Sequence, residues 1–273
     1  MCPRLLEIGP FTIYSYGLML AIGFIVASSL LTAELKRKRL DPALGNNITL
    51  IALVAGIAGS KLLYLIEHWS AFMADPIGMA FSPSGLTFYG GFLLATFFIW
   101  IYLRRKKIGF LIAGDAVAPG LMLGYGIARL GCHFAGDGDY GFPTTLPWGT
   151  DYSKGTYPPS AAFRDFPEIT SQYPNGVVPD TTLCHPTPVY ELILCAIFFW
   201  ILWRMRTTAK PDGKVFMAYL VLAGLERFAI EFLRLNPRIL FGLSEAQLIA
   251  LGLMSVGAFG WYTLSKHHKP VAS

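Results

Sequence analysis

The chain is 273 residues long, 54% of them hydrophobic and 14% charged, with a formal net charge of +5 and a mean hydropathy of +0.50. Soluble domains carry about a quarter charged residues, so this composition excludes an ordinary water-soluble fold and makes the bilayer the better solvent. The four cysteines show no metal-ligand spacing, and neither a metal nor a cofactor is expected.

A hydrocarbon core about 30 Å thick takes about 20 apolar residues per helix. In chain order, stretches of that kind run over Tyr16–Leu35, Asn47–Ile66, Leu86–Leu103, Leu111–Leu130, Pro188–Trp203, Val215–Leu233 and Ser244–Leu264. None alternates strictly between apolar and polar residues as membrane strands do, and each is long enough to satisfy its own backbone as a helix. The predicted class is an all-α polytopic membrane protein with about seven transmembrane helices, residues 1–273 forming a single integral membrane domain. The first span is too long for a cleavable signal, lacks a basic leader and is followed by the cluster at Lys36, so it is read as a retained helix.

The basic residues orient the chain. Lys36, Arg37, Lys38 and Arg39 follow the first span, Arg104, Arg105, Lys106 and Lys107 the third, Arg204, Arg206, Lys210 and Lys214 the fifth, and Lys266 and Lys269 the seventh. These are 14 of the 22 Lys and Arg, all on one side, whereas the other side holds Arg4, Lys154, Arg164, Arg234 and Arg238. The excess of cations marks the cytoplasmic face, which puts the amino terminus outside and the carboxyl terminus inside. Clustering at helix ends also argues against nucleic acid as a partner.

Between the fourth and fifth spans lies a long polar segment, 131–185, whose proline and aromatic residues (Phe142, Trp148, Tyr152, Tyr157, Phe163, Phe166, Tyr173) are too many for a disordered tail. A small packed external head is expected there, and loops of this length are usually functional. Cys132 and Cys184 bracket it, and a disulfide between them is one possibility in an oxidising compartment. No inverted repeat relates the two halves, which counts against a secondary transporter.

Ionisable groups inside spans cost about 2.5–3.5 kcal/mol each on insertion scales, so each needs a partner or a task. Lys61, Asp115, Arg129, Glu191, Glu226, Arg227 and Glu231 are such groups. With the orientation above, Lys61, Arg129, Arg227, Glu231 and Arg234 fall in the outer halves or at the outer ends of the second, fourth and sixth spans, and Glu191 near the outer start of the fifth. Arg227 and Glu231 are four apart and suited to pair. Cations left over by the carboxylates would attract an anion such as a lipid phosphate, which arginine forks suit. Asp115 is read apart from these, as a helix-entry residue at a favourable dipole end. Gly85, Gly120, Gly124, Gly126 and Gly131 are read as close-packing positions, while Gly90 and Gly91 beside Tyr89 offer either packing or backbone approach to a head group.

Five fragments then carry a resemblance in order along nearly the whole chain: Tyr16-Gly-Leu-Met, Gly85-Leu-Thr-Phe-Tyr-Gly-Gly91, Ala128-Arg-Leu-Gly131, His185-Pro-Thr-Pro-Val-Tyr-Glu191 and Glu226-Arg-Phe-Ala-Ile-Glu-Phe-Leu-Arg234. The chain resembles the bacterial prolipoprotein diacylglyceryl transferases. The resemblance implies transfer of the diacylglyceryl group of phosphatidylglycerol to the lipobox cysteine thiol of a prolipoprotein signal peptide, with release of glycerol 1-phosphate, at the outer leaflet of the bacterial cytoplasmic (inner) membrane among its lipids. It makes Arg129 the lipid-binding arginine and sets Arg227 against the head group. Glu231, Tyr16 and Glu191 fall among the matching pocket residues.

The family's third-span motif has His before the paired glycines, where this chain has Tyr89, whose ordinary pKa of about 10 makes it a poor base at neutral pH. Tyr89 is read as a hydrogen-bonding residue or a phenolate base, with Glu231 and His133 as other proton acceptors. Cys132 stands where many members have Asn, and Lys61 where they have Arg, which keeps the charge and loses the fork. His133 and Asp137 are read either as substrate-positioning residues or as ordinary loop residues. Competing readings are a phosphatidylglycerol-binding relative without transfer activity and a transporter of a small anion.

Overall fold

The computed structural model describes residues 1–9, 11–82 and 85–267; Lys269 of the last basic pair lies outside them. It is predominantly helical. The long helices are α1 (Ser15–Arg37), α2 (Ala43–Glu67), α3 (Phe88–Arg105), α4 (Phe110–Ala135), α5 (Thr187–Met205), α6 (Lys214–Ile230) and α7 (Glu245–His267). Strands among the described residues form only two-stranded antiparallel pairs: β1 (Arg4–Ile8) with β2 (Phe11–Tyr14), β3 (Thr150–Asp151) with β4 (Leu183–Cys184), and β5 (Arg238–Leu240) with β6 (Leu243–Ser244). No closed barrel is among them.

Helices α1, α2, α4, α5 and α7 are long and apolar enough to cross a membrane. The other two, α3 and α6, have 18 and 17 residues. Helix α6 is shorter than its apolar run because the backbone tightens into a 3-10 turn over Glu231–Leu233. Such tightening is common at helix ends, where the last carbonyls lack partners four residues on.

The chain divides into two compact units, Met1–Ala27 with Val117–Ser273, and Ser28–Ala116. In the second unit, α2 and α3 pack through glycines: a Cβ on Gly90 would collide with the Gly59 carbonyl, and one on Gly91 would come within 2.7 Å of the Gly56 carbonyl. Asp115 is buried beyond the first turn of α4, with Lys38 Nζ 3.9 Å away. The helix-entry reading is therefore corrected: Asp115 sits in an ion pair rather than at the dipole end.

In the first unit, the start of α1 meets α4 through small residues, the commonest way for helices to approach closely in lipid. A Cβ on Gly124 would lie 3.0 Å from the Gly23 carbonyl, and one on Gly120 2.9 Å from that of Ala27. Ala118, Met122, Cys195, Leu202 and Val215 form the buried core of α4, α5 and α6. Residues between α4 and α5 pack around a core of their own, built from Tyr140, Tyr152, Phe163, Ile169, Val178 and Cys184. The Tyr140 and Tyr152 rings stack at 4.2 Å.

Cys132 and Cys184 are separate buried thiols, so the possible disulfide is not made. Cys184 Sγ lies 3.5 Å from the Thr182 carbonyl, and burial, with the nearby Asp151 charge, pushes its pKa up to about 12. A thiol so far from ionisation is inert at neutral pH.

Candidate functional site

The first unit gathers its charged side chains at the end of α4, the start of α5 and the end of α6. Pro188 sits at the start of α5, where its missing N–H costs nothing and its fixed φ favours helix. Glu191 follows one turn later with its side chain fully buried. Arg129 lies in the last turns of α4. Beyond α4 the chain reverses at Gly136 and Gly138, with φ of +59° and +92°, values that a side chain would make costly. That reversal brings Asp139 back to Arg129, and the Asp139 carbonyl accepts a 2.7 Å hydrogen bond from Thr187 Oγ1.

Glu191 is the common anchor. Arg129 grips it with Nε to Oε2 and with Nη2 to Oε1 at 3.0 Å. Arg227 Nη1 is 3.6 Å and Arg234 Nη1 3.5 Å from the same Oε1. Asp139 accepts from Arg129 Nη1 at 2.6 Å and from Arg234 Nη2. Burial alone would raise the Asp139 pKa, but the two guanidiniums outweigh it and hold the carboxyl below its ordinary range. Asp137 is pushed the other way by burial and by the Asp139 charge.

Glu231 completes the group. Its Oε2 lies 3.1 Å from Arg227 Nη2, and its Oε1 accepts from Ser244 Oγ at 2.6 Å and Asn236 Nδ2 at 2.7 Å. Arg238 bonds the Glu231 carbonyl with Nη2 at 3.2 Å and Gln247 Oε1 with Nη1 at 2.6 Å. The β5–β6 segment and the start of α7 thus lock the carboxylate in place. Asp139, Asn236, Ser244 and Gln247 were given no role by the sequence; polar residues just beyond an apolar span were the available signal.

Three guanidiniums, Arg129, Arg227 and Arg234, therefore face three carboxylates, Glu191, Asp139 and Glu231, while Arg238 beside them bonds a carbonyl and an amide oxygen. Arg129 and Arg234 are spent on these contacts, with 13% and 9% of their side chains exposed, while Arg227 keeps 27%. Glu226, next to Arg227, is buried with Oε1 lacking a hydrogen bond among the described residues.

Tyr16 stands beside this group, because Gly131 lets α4 come close: a Cβ there would be 3.0 Å from the Tyr16 Cα. His133 Nδ1 is 3.0 Å from Tyr152 Oη and ties α4 to the Tyr140–Tyr152 core. Cys132 Sγ is 3.5 Å from Arg129 Nη1 and 4.8 Å or less from carboxylate oxygens of Asp137 and Asp139. Both Asp139 oxygens are taken by arginines, so these three residues read as part of the ion-pair network.

The remaining residues expected at the site lie in the second unit. Lys61 Nζ donates to the Ser82 carbonyl at 2.9 Å and stands 5.5 Å from the Tyr64 ring centroid. Tyr89 is half-exposed and edge-on to Phe88. Gly90 and Gly91 are buried at the α2–α3 packing described above.

A family model described as prolipoprotein diacylglyceryl transferase matches residues 3–263. The chain belongs to that family. Curated relatives named phosphatidylglycerol–prolipoprotein diacylglyceryl transferase include one from Dehalococcoides mccartyi, 33% identical over 93% of this chain and 90% of that protein. Another from Clostridium tetani is 30% identical over 95% of this chain and 96% of its own length. One from Leptospira interrogans is 28% identical over 92% and 88%. Membership makes the chain a transferase of lipoprotein biosynthesis, and its apolar helices make it a multi-pass membrane protein.

Proposed function

We propose that this protein transfers the diacylglyceryl group of phosphatidylglycerol to the lipobox cysteine thiol of prolipoproteins. The carrying observation is the convergence of Arg129, Arg227 and Arg234 on the buried Glu191, which makes a charge-balanced cluster whose most exposed guanidinium of the three is Arg227. The family match supports the same chemistry.

In this reading the thiol sulfur attacks the glyceryl carbon that carries the phosphate. A C–S bond forms and the C–O bond breaks; glycerol 1-phosphate leaves with the electron pair and the thiol proton is lost to a nearby acceptor. Arg227 meets the phosphate, whose charge grows as the bond breaks, so its guanidinium works most strongly in the transition state. Arg129 and Arg234 hold Glu191 and Asp139, and through them the direction of Arg227. Glu231 orients Arg227 from the other side, Tyr16 borders the pocket, and His133 is the acceptor candidate nearest the Asp137 turn. In the second unit, Lys61 keeps the charge of the family's Arg, Tyr89 offers a hydroxyl where the family has His, and Gly90 and Gly91 keep Tyr89's helix close to α2.

All seven long helices span the bacterial cytoplasmic membrane, with the amino terminus outside and the carboxyl terminus cytoplasmic. Residues 131–185 form the external head that meets the precursor. The test is incubation of purified protein with phosphatidylglycerol and a lipobox peptide, read by mass spectrometry for diacylglyceryl addition. Product is expected from the wild type and not from a peptide with Ser in place of the lipobox Cys. Lipid binding without product across a range of pH would leave a binding protein and end the transfer reading.

A further inference from the structure

We propose a second anionic-phospholipid site, at the ends of α5 and α6 opposite the arginine–carboxylate cluster. It rests on the reading of α5, α6 and α7 as membrane spans and is independent of the transfer chemistry.

Residues 204–214 hold four cations, Arg204, Arg206, Lys210 and Lys214, against one acid, Asp212. Three of the four stand over tryptophans. The Arg204 guanidinium carbon is 5.7 Å from the Trp200 ring centroid, that of Arg206 is 3.5 Å from Trp203, and Lys214 Nζ is 5.2 Å from Trp261 of α7. Cation–π contact holds the charges beside rings that favour the head-group layer. Among the described residues, Arg204, Lys210 and Lys214 make no ion pair with a carboxylate.

The connection is also built rather than loose. Ala209 N bonds the Met205 carbonyl at 2.8 Å, Met217 N bonds that of Gly213 at 2.9 Å, and Ala209 packs on the core with Leu202 and Val215. Charges presented on a fixed turn between spans, backed by indole rings, fit a lipid phosphodiester: guanidinium and ammonium donors meet the phosphate oxygens while the rings flank the glycerol region. Basic pockets of this kind at the ends of spans bind anionic head groups. In the topology proposed above, the lipid belongs to the cytoplasmic leaflet and cannot be the substrate held at Arg227.

The test uses the full chain in nanodiscs, with native mass spectrometry counting retained dioleoyl-phosphatidylglycerol against dioleoyl-phosphatidylcholine. Wild type is expected to keep two anionic lipids in preference to the zwitterionic one, and Arg227→Gln to keep one. A variant carrying Arg204→Gln, Lys210→Gln and Lys214→Gln also loses one, with affinity at this site about a hundred-fold lower on the usual worth of a basic residue near a lipid surface. Its transfer rate at saturating phosphatidylglycerol stays within about twofold of wild type. Because removal of three charges can disturb insertion, Arg204→Lys with Arg206→Lys is measured beside it. That pair keeps the charge, loses the planar fork, and is expected to weaken retention several-fold. Retention of both lipids by the triple variant, no loss in the lysine pair, or equal retention of phosphatidylcholine by the wild type would overturn the site.

Discussion

Glu191→Gln removes one negative charge from the centre of the cluster and almost no volume. Three guanidiniums would then face two carboxylates, and Arg129 would lose the bidentate grip that now fixes it. Breaking a buried ion pair from one side costs about 3–5 kcal/mol, because the remaining charge stays desolvated. Here Arg129 and Arg234 keep Asp139, and Arg227 keeps Glu231, so the lower figure of about 3 kcal/mol applies. For a chain of this size that is a fall of about 6–12 °C in the unfolding midpoint. The assay is thermal unfolding in nanodiscs, with diacylglyceryl addition measured on the same sample well below the midpoint. Activity should fall by at least about tenfold even where the protein remains folded, since Arg227 is no longer aimed. An unchanged midpoint together with activity within twofold of wild type would refute the anchoring role of Glu191.

Arg227→Lys keeps a charge at the cluster but loses the fork, and turnover should drop about 100-fold with little change in the unfolding midpoint, as is usual for a lost transition-state donor; equal losses in Arg227→Lys and Arg227→Ala would point to stability instead. Glu226→Met replaces a buried carboxyl that lacks a hydrogen bond on Oε1, so the variant should be about 1–3 kcal/mol more stable while still active, as thermal unfolding and the transfer assay will report. Asp139 ionises more readily in the folded protein than in the unfolded chain, so its pairs with Arg129 and Arg234 add stability above about pH 4 that disappears as pH falls through the depressed folded value. Unfolding midpoints of wild type and Asp139→Asn between pH 6 and about 3 should converge at the acid end, and parallel curves would contradict this. Tyr89→Phe keeps the ring and removes the hydroxyl; measurable transfer is expected, and its complete loss would make the phenol the base.

The helices were legible because hydropathy over about 20 residues is a property of composition, and every expected span overlaps a long helix within a few residues at each start. Their ends were less so. The tightening at Glu231 depends on which carbonyls find partners, and Arg238 at the Glu231 carbonyl is a contact between residues whose approach only the fold decides. The β1–β2 hairpin was missed since two short strands directly before a strongly apolar span are dominated by the span. At the site, charge placed within apolar runs identified Arg129, Glu191, Arg227 and Glu231. Asp139 escaped because it lies in a glycine-rich loop, where an acid reads as a turn former. Asp115 was misread for the converse reason: its partner Lys38 comes from a distant basic cluster that looked wholly topological.

The equal number of guanidinium and carboxylate groups around Glu191 has a consequence for turnover. A phosphodiester brings one negative charge to a neutral assembly, whereas a free phosphate monoester carries about −1.5 to −2 near neutrality. The departing molecule is therefore less welcome than the one that entered, because Glu191, Glu231 and Asp139 remain beside it and the guanidiniums of Arg129, Arg227 and Arg234 are already matched to them. Electroneutrality of the resting site thus favours clearance over product inhibition.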